Sequence, residues 1–158
     1  MNAEILNLII AVFVTLIYLV ISMKTVSSYL ERISKPMSTA IGILNCCVIF
    51  GFGITLYNFA EIASGAFHMY FLQGKIMTGL FYWIIFAIIA YLFSYSVFRL
   101  SFFLIDKSTS ENEKAELAKN NYQLAALHGV IFIILCLVVS VPLSDLANSF
   151  VSYPKYPD

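Results

Sequence analysis

The chain has 158 residues, of which 61% are hydrophobic, 16% aromatic and only 11% charged. Soluble domains carry about 25% charged residues, so this balance excludes an ordinary soluble domain and points to a chain that crosses a membrane several times. Nine basic and nine acidic residues cancel, which leaves no basis for a nucleic-acid partner.

The first predicted element is an apolar run from Ile5 to Met23 with no Gly or Pro. It lacks a basic n-region and is too long for a signal-peptide core, so it reads as a retained transmembrane span. Lys24 closes it as an interface anchor. Val26, Tyr29, Leu30 and Ile33 recur at helical spacing beyond it, and Pro36 marks a break or a helix start.

The second span covers 38–60. Ser38, Gly42 and Cys46 fall at four-residue intervals, the pattern that lets membrane helices approach closely. Glu61 ends that span, and 61–74 reads as a short connection whose Phe67, Tyr70 and Phe71 suit a membrane interface. The third span, 76–105, is the most aromatic part of the chain and holds one charge, Arg99, a second interface anchor.

Residues 106–121 are the one soluble-looking piece. Ser110 and Glu113 have the spacing of a capping box, and the segment is the best candidate contact for a cytoplasmic protein. The fourth span, 122–143, opens with Ala125, Ala126 and Gly129 as packing residues and ends past Pro142, before Asp145. The tail, 144–158, is expected to lack regular order.

The basic residues are unevenly placed. Lys24, Arg32, Lys35, Arg99, Lys107, Lys114 and Lys119 lie at or between spans one and two or three and four, against Lys75 and Lys155 elsewhere. The positive-inside rule therefore puts both linkers in the cytoplasm and both termini outside. The fold class that follows is all-α integral membrane: four transmembrane helices as two parallel hairpin repeats, residues 1–74 and 75–158.

The stretch Lys119 to Gly129, KNNYQLAALHG, resembles the YjfL-like family of small bacterial inner-membrane proteins. Asn120, Ala125, Ala126 and Gly129 match its pattern. In the first half Ser38, Ala40 and Gly42 keep the small character, whereas Pro36 and Asn45 stand where Asn and Gly are expected. The resemblance covers the last third of the chain well and the rest in layout. It implies a bacterial inner membrane and paired two-helix repeats, and it supplies no reaction.

For chemistry the sequence has little to draw on. His68 and His128 are its only imidazoles, and no nucleophile turn, phosphate loop or paired intramembrane carboxylate is present. Cys46, Cys47 and Cys136 lie in apolar runs without zinc-site spacing. No enzyme activity, cofactor or metal is expected.

Polar groups within the spans are the candidates for function. Asn45 and His128 each lie about 10 Å into their helices at 1.5 Å per residue. They read as interhelical hydrogen-bonding groups or, more sharply, as part of a polar ring. Glu61 and Asp145 close the outward ends of spans two and four as exposed carboxylates or acidic rings. Two functions follow. The preferred one is a non-enzymatic membrane subunit that packs through small-residue helices against copies of itself or another membrane protein. The alternative is an oligomeric ion pore lined by spans two and four.

Overall fold

A computed structural model describes residues 3–33, 38–108 and 113–151. Five helices account for them: α1 (Ala3–Leu30), α2 (Thr39–Leu72), α3 (Ile76–Ser108), the short α4 (Glu113–Ala118) and α5 (Tyr122–Ser149). No strand occurs among the described residues. Four of the helices are long and apolar enough to cross a membrane. In hydrocarbon every peptide group must find its partner inside the protein, and a helix does this within one segment.

The helices overrun the predicted spans. α2 has 34 residues, about 50 Å at helical rise, and it continues through Glu61 to Leu72. Residues 61–72 are therefore not a connection. Ala63, Ala66, Phe67 and Tyr70 are buried at i, i+3, i+4 and i+7, which gives this part an apolar face of its own against α3. The true connection is Gln73-Gly74-Lys75. There the Lys75 amide donates to the Tyr70 carbonyl at 2.9 Å and the Gly74 amide to that of Phe71 at 2.9 Å. Gly74 has a φ of 73°. This is a Schellman stop, which needs a left-handed residue and takes glycine at no steric cost.

α5 likewise runs past Pro142, which lies inside the helix, so 144–149 is helix rather than loose tail. The missing proline N–H removes one backbone bond, and Ser144 and Ser149 donate to the carbonyls of Val141 and Leu146 in the turns that follow. The expected break at Pro36, the Ser110 cap and the tail beyond Val151 lie outside the described residues.

α2 is the hub. It touches all four other helices, whereas α1 and α5 do not touch each other among the described residues. α1 and α3 pack antiparallel to α2, as the pairs Asn7–Ser64 and Phe59–Phe86 show. α5 lies parallel to α2: Gly129 meets Cys47, Gly51 meets Phe132, and Asn58 meets Ser140. The packing is thus unequal between the halves. α2 and α3 form a tight hairpin, while α1 and α5 leave a lengthwise opening along α2.

The core is aromatic and close-packed. Phe52, Phe59, Phe67, Phe98 and Phe132 are fully buried, and Phe98 packs edge-on against both Phe102 and Phe132. Three glycines make close approach possible. A Cβ at Gly51 would lie 2.3 Å from the Phe132 ring, one at Gly79 2.8 Å from that of Phe67, and one at Gly129 2.6 Å from Cys47 Cβ. Gly42 is different, since nothing lies within 4 Å of its Cβ position. Gly42 is half-buried, and Cys46 and Ala126 are exposed. Within one chain, then, the packing residues expected at Gly42, Cys46 and Ala126 make no close contact. They lie on the outward side of their helices, whereas Ala125 and Gly129, also expected to pack, are buried, and Gly51 adds a close contact that was not expected.

Candidate functional site

Polar side chains in an apolar bundle are costly unless paired, so their pairing shows what each one does. At the end where α1 begins, Asn7 joins three helices. Its Nδ2 donates to Ser64 Oγ at 2.6 Å, and its Oδ1 accepts from Trp83 Nε1 at 3.0 Å. Around this triad lies a groove of about 860 Å³ whose lining includes Glu4, Ser64, Gly65, His68 and Trp83. One level along, Asn58 Nδ2 donates to Ser140 Oγ at 2.6 Å and fastens α5 to α2. At mid-depth the Tyr18 hydroxyl donates to the Phe52 carbonyl at 3.1 Å, and that of Tyr91 to Thr25 Oγ1 at 2.8 Å.

Asn45 and His128 occupy the next levels. Asn45 Nδ2 donates to Ser27 Oγ at 3.2 Å, which ties α2 to α1, while its Oδ1 is buried without a partner. His128 is fully buried. Its Nε2 lies 2.8 Å from Ser101 Oγ, and its ring packs edge-on against Phe102 at 4.1 Å, which ties α5 to α3. The two residues therefore have similar depth but different neighbours, and they do not line a common path in the chain. Nor is there a lumen between α2 and α5, because Gly51 and Gly129 bring those helices into direct contact.

Glu61 and Asp145 are both exposed. Glu61 lies within α2 rather than at its end, on an outward stripe with Phe50, Tyr57, Gly65 and His68. Gly42, Gly53 and Gly65 have no atom within 4 Å of their Cβ positions. The stripe therefore opens between α1 and α5, with Phe50, Tyr57, Glu61 and His68 projecting from it. Leu19, Gly53, Tyr57 and Leu137 line a groove of about 580 Å³ over its middle.

The other end of the bundle is fastened by two adjacent asparagines. The Asn121 amide donates to the Glu116 carbonyl at 3.2 Å, and that of Asn120 to Leu117 at 3.1 Å. This is again a Schellman stop, with Asn120 as its left-handed residue at a φ of 66°. Asn120 Oδ1 then accepts from the Ala40 amide at 2.9 Å and so caps α2. Asn121 caps its own helix by accepting from the Leu124 amide at 3.1 Å. Ser38 caps α2 from within, accepting from the Ile41 amide, and donates to the Leu117 carbonyl.

Leu117 is fully buried, so α4 is docked, while Lys114 and Lys119 are exposed; of the 106–121 stretch, 109–112 lie outside the described residues. Glu116 pairs with Lys119 at 2.7 Å. The Lys119 ammonium, and then the Asn121 amide, hold the Glu116 carboxyl below the usual carboxylate range.

The two anchors behave differently. Lys24 is exposed, whereas the Arg99 guanidinium lies 5.2 Å from the Tyr29 ring centroid in a cation–π contact across α1 and α3. Among the described residues no three His, Cys, Asp or Glu side chains are grouped so as to hold a metal ion. Asn7 and Trp83 are not among the polar groups expected from the sequence. The available signal was an indole N–H, which needs a partner in an apolar setting, together with an amide near the start of α1.

Comparisons with protein-family models, curated proteins and solved structures find no match to this chain.

Proposed function

We propose that this is a non-enzymatic, multi-pass membrane protein that serves as a subunit of a larger membrane assembly, associating with copies of itself or with another membrane protein. One observation carries the reading. α2 buries its other faces inside the chain yet leaves an unfilled stripe with three open glycines, Gly42, Gly53 and Gly65, facing outward. Membrane helices associate mainly through close van der Waals packing, which small residues permit. The interhelical polar pairs support the same reading, because Asn7, Asn58 and His128 are spent on holding the bundle together.

The charge asymmetry of the linkers favours an orientation with both termini outside the cytoplasm, presenting the basic linkers to a cytoplasmic partner. The KNNYQLAALHG stretch favours a bacterial inner membrane and a place near the YjfL-like family, with the two hairpins as diverged repeats.

The test is the mass of the particle extracted in nanodiscs, with bulky substitutions on the stripe. Gly53→Leu and Gly65→Leu should shift an oligomer or hetero-complex toward a single chain and leave the bundle folded. A particle of one chain before any substitution refutes the proposal.

A second reading has its own support. Tyr57, Glu61 and His68 share the outward stripe, so an oligomer closed around α2 would turn a ring of carboxylates toward its axis, as cation pores do. Cation flux in vesicles that falls with Glu61→Gln would favour it over a purely structural subunit.

A further inference from the structure

The seam between α1 and α3 combines two features that belong together in one kind of ligand. The first is an apolar groove of about 390 Å³ lined by Val14, Ile17, Tyr18, Ile21, Ala87 and Ile88, among others. The second is a pair of cations beyond one end of it. Lys24 follows Ile17 by seven residues and Arg99 follows Ile88 by eleven, each about 20° from the groove residue it follows at 100° per residue. α1 and α3 run parallel, as the pairs Asn7–Trp83 and Tyr29–Phe98 show, so both cations lie toward the same end. The Tyr91–Thr25 hydrogen bond ties α3 to α1 at the level of Lys24, where the groove ends.

The depths fit as well. Arg99 lies at the level of Tyr29, about 12 Å past Tyr91 along α3, and Lys24 lies about 7 Å deeper along α1. A lysine side chain spans such a distance by snorkelling toward the headgroups. The Arg99 guanidinium reaches α1, where it lies 5.2 Å from the Tyr29 ring centroid. Neither Lys24 nor Arg99 has a carboxylate partner among the described residues. Basic pockets between membrane helices recognise anionic headgroups.

We infer that the α1–α3 seam binds an anionic phospholipid from the leaflet in which these helices end, with one acyl chain in the groove and the phosphate between Lys24 and Arg99. The inference rests on membrane insertion but not on any oligomeric state. The protein in nanodiscs of mixed phosphatidylglycerol and phosphatidylcholine, released into detergent and weighed with its retained lipids, provides the test. Each cation near the headgroup plane contributes about a fivefold preference, so the wild type should retain phosphatidylglycerol about 30-fold over phosphatidylcholine. Lys24→Gln with Arg99→Gln should abolish the preference, and Ala87→Phe should reduce retention of both lipids by filling the groove. Lys114→Gln with Lys119→Gln, which removes two cations from the same end but off the seam, should leave the preference intact.

Equal retention by the wild type, a preference that survives the Lys24/Arg99 change, or one lost equally with the linker cations overturns the site. Trp83 emission checks that each variant is folded. A chain that stays in solution without detergent would refute insertion itself, a separate failure.

Discussion

Asn120 does two things at once, and substitutions separate them. Its backbone takes the left-handed conformation that ends α4, and its side chain caps α2 by accepting from the Ala40 amide at 2.9 Å. Asn120→Gly keeps the backbone preference and loses only the cap. The lost cap costs about 1 kcal/mol, and Ala40 is fully buried, so its N–H gains no water in exchange. Asn120→Ala loses the cap and also the short polar side chain that eases Asn into the left-handed region, a further cost of about 1 kcal/mol and about 2 kcal/mol in all. Asn120→Asp keeps an acceptor at a helix N-terminus, where negative charge is favoured, and should match the wild type or exceed it by about 0.5 kcal/mol. Reversible unfolding in mixed micelles, followed by Trp83 fluorescence and helical circular dichroism, measures all three. If Gly is as costly as Ala, the cap dominates and the left-handed cost is absent. If Gly is neutral, the bond to Ala40 carries no stability and the reasoning fails.

Other predictions follow from the same geometry. Gly129→Val should destabilise by about 1–3 kcal/mol, because its Cβ would lie 2.6 Å from that of Cys47, whereas Gly42→Ala should be neutral or stabilising in the same assay. A double-mutant cycle of Ser101→Ala and His128→Leu should give a coupling of about 0.6 kcal/mol, the average for interhelical hydrogen bonds in membranes, and a value near zero would deny the bond. The Glu116 carboxyl is held low by Lys119, so its contribution to linker order is present above the usual carboxylate range and is lost as pH falls through the depressed value. Amide exchange over 113–121, corrected for intrinsic rates, should rise on acidification in the wild type and much less with Glu116→Gln. Deleting 111–114 should release any soluble protein that co-purifies through the linker.

Much of the architecture was legible because a bilayer constrains composition so strongly. Runs of about 20 apolar residues between charges located all four long helices. Their ends were not legible for the same reason. Glu61 and Gly65 look like loop residues in a hydropathy reading, yet each is exposed on α2, where it interrupts nothing, and the buried face runs on through Ala63, Ala66 and Phe67. Pro142 misled in the same way at an exposed position of α5. Depth could be counted for Asn45 and His128, but partner choice could not. Ser27 and Ser101 are found opposite them only once the packing of α1 against α2 and of α3 against α5 is known. The small residues show the limit most clearly. Spacing marked Gly42 and Cys46, but contact fell on Gly51 and Gly79, because period alone does not say which face of an all-apolar helix is inward.

The parallel pairing of α2 with α5 sets a timetable for assembly. Synthesis delivers α1, α2 and α3 before α5 exists, so the chief neighbour of the last helix is already made when that helix emerges. Until then the receiving side of α2 stands uncovered, with the notch at Gly51 unfilled and the Asn58 amide without Ser140. A chain stopped before Tyr122 keeps that side open permanently. Arrival of α5 supplies Ser140 to that amide and Phe132 to that notch, and the Asn120 contact with Ala40 fastens the turn before α5 to the start of α2.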